Sequence, residues 1–118
     1  MILSGLKIAD ADGLHDDDWC FPVVRLRLVA QAALTELRVG VWMKSEETVQ
    51  DRTVFTITSD HSPAKVQVVP FNSPTEISIP MVVGEGDEIS LRIGTPHRAS
   101  KGEDARDLSF VLLSLVML

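Results

Sequence analysis

Val24-Arg25-Leu26-Arg27-Leu28 alternates apolar and charged residues one at a time. Period two is the period of an extended chain, whose successive side chains point to opposite faces. One face of this segment can therefore be buried while the other carries arginine into water, as in an antiparallel sheet with one wet side.

The same pattern recurs outward from this stretch. Leu37, Val39, Val41 and Met43 alternate with Glu36, Arg38, Gly40 and Trp42. Ile77 and Ile79 alternate with Glu76, Ser78 and Pro80, and Ile89, Leu91 and Ile93 with Glu88, Ser90 and Arg92. About eight strands are expected, at 2–8, 22–30, 35–43, 53–59, 64–70, 75–80, 87–94 and 108–118. Turn-forming residues separate them at Asp60–Pro63, Asn72–Pro74 and Gly84–Asp87. Short strands broken by Gly and Pro predict an all-β, antiparallel β-sandwich, jelly-roll-like in strand number. Only 44–51 has helix-friendly residues, enough for two turns at most. The polar segment Thr95–Asp107 and the acidic segment Asp10–Asp18 are expected to be the two longest loops, where binding on a β scaffold usually sits.

The bulk of the chain bounds what it can do. Its 118 residues fit one domain, expected over 1–118, and 45% hydrophobic with 24% charged residues is enough apolar material for a core. A net charge of −6, with basic residues scattered, among them the arginines at 25, 27, 38, 92, 98 and 106, and no basic run, argues against nucleic acid as a partner. The longest apolar stretch, Leu108 to Leu118, is interrupted by serine and too short for a membrane-spanning helix. Residues 1–12 carry no continuous apolar core of a signal peptide, and the single Cys20 allows no intrachain disulfide. A reducing, cytoplasmic setting is the expectation.

Few residues carry obvious chemistry. Cys20 lies between Trp19 and Phe21 beside acids, which suits a small buried apolar residue and not a reactive thiol. Asp10, Asp12 and Asp16, with Asp17 and Asp18, are dense enough to raise a calcium site. They lack the bidentate acid of an EF-hand, so a solvated acidic loop is the plainer reading, and no cofactor is expected unless calcium binds there. The three histidines share no zinc-ligand spacing, and no serine sits in a nucleophile elbow. Paired carboxylates for glycoside hydrolysis depend on spatial separation and stay open, but an enzyme is the third choice among functions.

The two tryptophans matter more. Trp42 falls on the outward parity of its strand, beside Arg38 and Gly40. An outward tryptophan offers a flat face to the C–H face of a sugar ring; cover by a loop, or a bulge that flips the register, is the alternative. Trp19 reads as a plug at the end of the sandwich, with ligand contact as its alternative. Asp104, Arg106 and Asp107 precede the last strand, where arginine between acids can fix a loop through paired hydrogen bonds or can hold a hydroxylated ligand. The last strand is apolar on both parities: Leu108, Phe110 and Leu112 on one, Val111, Leu113 and Leu115 on the other. It is expected to be a central strand covered on both sides, or to carry an outer face that packs on another copy or a neighbouring domain.

Two segments together resemble a known family. Gly13-Leu14-His15-Asp16-Asp17-Asp18-Trp19 resembles the aromatic-x-x-x-Trp opening of β-sandwich modules found beside bacterial glycosyltransferase and polysaccharide-biosynthesis domains. Asp104-Ala105-Arg106-Asp107-Leu108-Ser109-Phe110 resembles their closing Asp-x-Arg-x-Leu-Gly pattern, with Ser109 where glycine is usual and His15 where an aromatic is common. These two segments hold 14 of the 118 residues, and the resemblance implies a non-catalytic sandwich that touches saccharide or packs on a neighbouring glycosyltransferase domain. The residues it carries over are Trp19, Asp104 and Arg106. The leading expectation is a carbohydrate-associated accessory module contacting ligand through Trp42, Trp19, Arg38, Asp104 and Arg106. The second is an interaction or homo-oligomerisation domain using the apolar last strand.

Overall fold

The computed structural model describes residues 1–44, 52–98 and 108–118. Among them are nine strands and no helix: β1 (Ile2–Ser4), β2 (Leu6–Leu14), β3 (Trp19–Ala30), β4 (Leu34–Trp42), β5 (Arg52–Ser59), β6 (Ser62–Pro70), β7 (Thr75–Val83), β8 (Glu88–Gly94) and β9 (Phe110–Met117). The all-β antiparallel expectation holds. The helix-friendly stretch falls almost wholly at 45–51, outside the described residues.

Antiparallel pairs nest about the β5–β6 hairpin, β4 with β7 and then β3 with β8, and β1 lies outside them, parallel to β9. This nesting is the wiring of a jelly roll. It produces one half ordered β7-β4-β9-β1 and another ordered β6-β5-β8-β3-β2. The halves are continuous, because the start of β3 pairs with β9 through Trp19 and Cys20 before its remainder pairs with β8. Pro22, which has no N–H to donate, stands where β3 changes partner. On the opposite side β6 and β7 approach each other, so the sheet is nearly closed into a flattened barrel of 43 × 25 × 20 Å. All pairings are antiparallel except β1 with β9.

The inward parity of every long strand feeds one core. Val24, Leu26 and Leu28 of β3 meet Leu37, Val39 and Val41 of β4, Ile77 and Ile79 of β7, and Ile89, Leu91 and Ile93 of β8. Phe55 of β5 and Phe110 of β9 meet edge to face with ring centroids 5.0 Å apart, joining the two halves.

Two expectations are corrected. The first strand, expected at 2–8, is two strands that belong to different halves. Gly5 makes the corner between them at φ +77, and a Cβ there would lie 2.6 Å from the carbonyl oxygen of Met117, so the position needs glycine twice over. The acidic segment Asp10–Asp18 is not wholly a loop, because β2 runs on to Leu14. Its carboxylates suit an edge strand, and the register sets Asp10 opposite Arg27 and Asp12 opposite Arg25. The chain then turns through His15–Asp18, with Asp18 at φ +70.

β9 resolves the puzzle of its two apolar parities. A bulge between Gly40–Ser114 and Val41–Leu112 adds one residue, Leu113. The inward set is therefore Phe110 and Leu112 before the bulge, Leu115 and Met117 after it. Val111, Leu113, Ser114 and Val116 are only half-buried. The strand is central, between β4 on one side and β3 with β1 on the other, but its outer row is not fully covered.

Candidate functional site

The sequence-predicted tryptophans come together. Val111 of β9 pairs with Trp19 of β3 on one side and with Trp42 of β4 on the other. Directly paired residues share a face of a sheet, so the three side chains form a row across three strands. The Trp19 and Trp42 rings meet at 72° with centroids 6.3 Å apart, and both are half-buried. This edge-to-face geometry fixes both rings, and they form an aromatic corner instead of one coplanar platform. Trp42 does point outward, as its parity predicted. Trp19 lies on that outer face beside it and is not a plug in the core.

Gly40 follows Trp42 along the same face. A Cβ at Gly40 would collide with Ser114 Oγ, so glycine lets β9 approach closely at the bulge. Arg38 is next in the row, opposite Ser78 of β7. Its Nε lies 3.3 Å from Glu36 Oε1 and 3.6 Å from Glu76 Oε1. Ser78 Oγ also donates a hydrogen bond to Glu36. That hydrogen bond, with help from Arg38, holds the Glu36 carboxyl below its ordinary value. Arg38 thus sits in a polar cluster on the same face as Trp42, with Gly40 between them.

Asp104 and Arg106 lie outside the described residues. The flanks of their segment are tied down beside the end of β4. His97 Nε2 lies 3.1 Å from the Lys44 carbonyl oxygen, which requires that nitrogen to carry the proton, and its ring packs on Phe71 with centroids 4.6 Å apart. The fully buried Ser109 donates from Oγ to the His97 carbonyl at 2.5 Å. Serine at position 109 therefore has work that a glycine would not do: it joins the two ends of the segment.

The calcium candidates are dispersed in role. Asp10 and Asp12 face arginines on β3, and Asp16 is exposed in the turn after β2. Among the described residues no group of three or more His, Cys, Asp or Glu side chains is arranged to hold a metal ion. Cys20 is fully buried, and desolvation pushes its thiol from 9.0 up to about 12, with Asp18 and Asp17 adding to the rise against a backbone hydrogen bond from Leu112. It is a core residue and not a nucleophile.

Sequence reading missed a second cluster, on the outer face of the other half. Arg25 of β3 stands directly opposite Arg92 of β8, and Arg27 opposite Ser90. With Asp10 and Asp12 from β2, these residues line an open trough of about 580 Å³, which Thr58, Ser59 and Asp60 close at the β5 end. In sequence the arginines are scattered. The available signal was their common outward parity, but parity does not say which strands pair.

No protein-family model, curated protein or solved structure matches the chain. Among the described residues no helix is long and apolar enough to cross a membrane.

Proposed function

We propose that the chain is a non-catalytic, carbohydrate-associated binding module of the kind that accompanies bacterial polysaccharide-biosynthesis enzymes, with the Trp19–Trp42 corner as its sugar contact. The observation that carries this reading is the meeting of two half-buried indole rings, from residues 23 positions apart by subtraction, on an outward sheet face. A fixed aromatic surface stacks on the C–H face of a pyranose without first losing side-chain freedom. The anchored flanks of the segment that carries Asp104 and Arg106 emerge beside the end of β4, which favours those residues as hydrogen-bonding partners for sugar hydroxyls. The protonated, buried Cys20 supports a reading without nucleophilic chemistry, and a lone cysteine suits a cytoplasmic setting.

The test is a glycan array followed by titration with wild type and Trp42→Ala. Selective binding is expected, weakened about tenfold or more in the variant, since an aromatic contact is worth roughly a tenfold change in affinity. A melting curve on each protein separates lost contact from lost fold. Absence of binding to any saccharide at millimolar concentration, in a wild type that melts cooperatively, would sink the reading.

A second reading has its own observation. The outer row of β9 keeps Val111, Leu113 and Val116 half-exposed, and the row continues across β1 to Ile2, which is 67% exposed. Apolar residues aligned on one face favour an interface with a second copy or a neighbouring glycosyltransferase domain.

A further inference from the structure

We infer that the trough on the β5–β8–β3–β2 face is a second binding site, for a small hydroxylated ligand that carries one acidic group, a carboxylate or a phosphate. It is separate from the Trp19–Trp42 corner, which lies where the start of β3 pairs with β9 and not with β8, and neither tryptophan lines it.

Arg25 and Arg92 make a pair that a sheet normally avoids. They are directly opposite on adjacent strands, both outward, so like charges face each other at cross-strand distance. Arg27 adds a third guanidinium on the same face, two residues along β3. Neutralisation within the protein is thin. Arg25 reaches Asp12 only at 3.9 Å, with side chains 64% and 81% exposed respectively, a geometry that stabilises little. Arg27 and Arg92 have no ion-pair partner among the described residues. An acidic group seated between Arg25 and Arg92 would relieve the repulsion and accept paired hydrogen bonds from planar forks, the geometry guanidinium suits.

The rest of the lining selects against a bare anion. Asp10 and Asp12 project from β2 into the same trough, and Asp60 stands at its β5 end. Carboxylates repel an inorganic anion but accept hydrogen bonds from hydroxyls. Asp60 is already positioned, because its Oδ1 accepts the Ser90 N–H at 3.0 Å. Ser90 and Thr58 add hydroxyls between the two charge types. A trough of about 580 Å³ is the size of a small-ligand site. Guanidinium donors at the centre and carboxylate acceptors at both ends match a sugar acid or a sugar phosphate.

The probes are glucuronate, glucose 6-phosphate, glucose and inorganic phosphate, titrated into the full chain while backbone amide shifts of β3 and β8 are followed. Saturable shifts are expected with one or both of the acidic sugars. Glucose and inorganic phosphate are each expected to bind about tenfold more weakly or worse, as each lacks half of the matching groups. The two acidic sugars tell carboxylate from phosphate. Arg92→Gln is expected to weaken binding about tenfold while leaving the melting temperature unchanged or higher, because it removes a like-charge contact. Trp42→Ala leaves these shifts intact, so failure here and failure of the saccharide contact at the tryptophans are told apart. No saturation by either acidic sugar up to about 10 mM overturns the inference. So does tighter binding of inorganic phosphate than of both, or a large fall in stability in Arg92→Gln, which would make the arginine structural.

Discussion

Cys20 shows how burial alone can decide what a residue does. A thiol at the surface would ionise near its ordinary value and react; here no solvent reaches it, and the charged form is disfavoured up to about pH 12. Native protein is therefore expected to resist alkylation at pH 8 and to react only once denaturant unfolds it. The raised value also ties stability to pH. The folded state keeps the proton that the unfolded chain releases above 9.0, so the contribution of this group is whole below that pH and is lost as the pH rises towards 12. Alkaline unfolding curves of wild type and Cys20→Ala should differ in this window, with the variant losing stability less steeply. Rapid alkylation of the native protein would show that the thiol is not buried. Ser109 makes a similar point for a polar group: enclosed completely, its hydroxyl is kept satisfied by the His97 carbonyl.

At the scale of the element, β1 and β9 carry what alternation did not show. Continuous extended chain was expected over 2–8, but Gly5 turns the chain from one half of the sandwich to the other. A side chain at this left-handed position, with its Cβ against the Met117 carbonyl, costs about 1–3 kcal/mol. Gly5→Ala is expected to lower stability by about that much in denaturant titration, whereas Gly86→Ala in an open turn lacks the close contact and loses less. Equal losses in the two variants would mean that strain in φ, and not the approach to β9, sets the need for glycine at 5. In β9 the bulge at Leu113 shifts the inward set from even to odd positions, so a strand with one inner face reads as apolar on both.

At the scale of the molecule, the near-closure of the sheet leaves two outward faces of opposite character. One half presents Trp19, Trp42, Val111 and Val116; the other presents Arg25, Arg27 and Arg92 among aspartates. The first face would join copies of the chain if the interface reading holds. Sedimentation over a wide concentration range would then show a reversible dimer, and Val116→Lys, with an outward half-buried side chain, would leave a monomer of unchanged melting temperature. A wild type that stays monomeric at every concentration removes self-assembly from consideration.

Alternation by itself determined the fold class and most of the core: Val24, Leu26 and Leu28, the odd residues of Leu37 to Met43, and Ile89, Leu91 and Ile93 are all buried as period two requires. It also turned Trp42 and the three arginines outward. It left open which outward residues become neighbours, because pairing and register join strands far apart in the chain and a bulge or a glycine corner shifts them without disturbing local composition. Only the tertiary structure set Trp19 against Trp42 across Val111. Only the tertiary structure moved Asp10 and Asp12 from a presumed loop to the rim of a trough and placed Arg25 opposite Arg92. Side-chain direction follows from the backbone period, which is local; convergence of side chains follows from the topology, which is not.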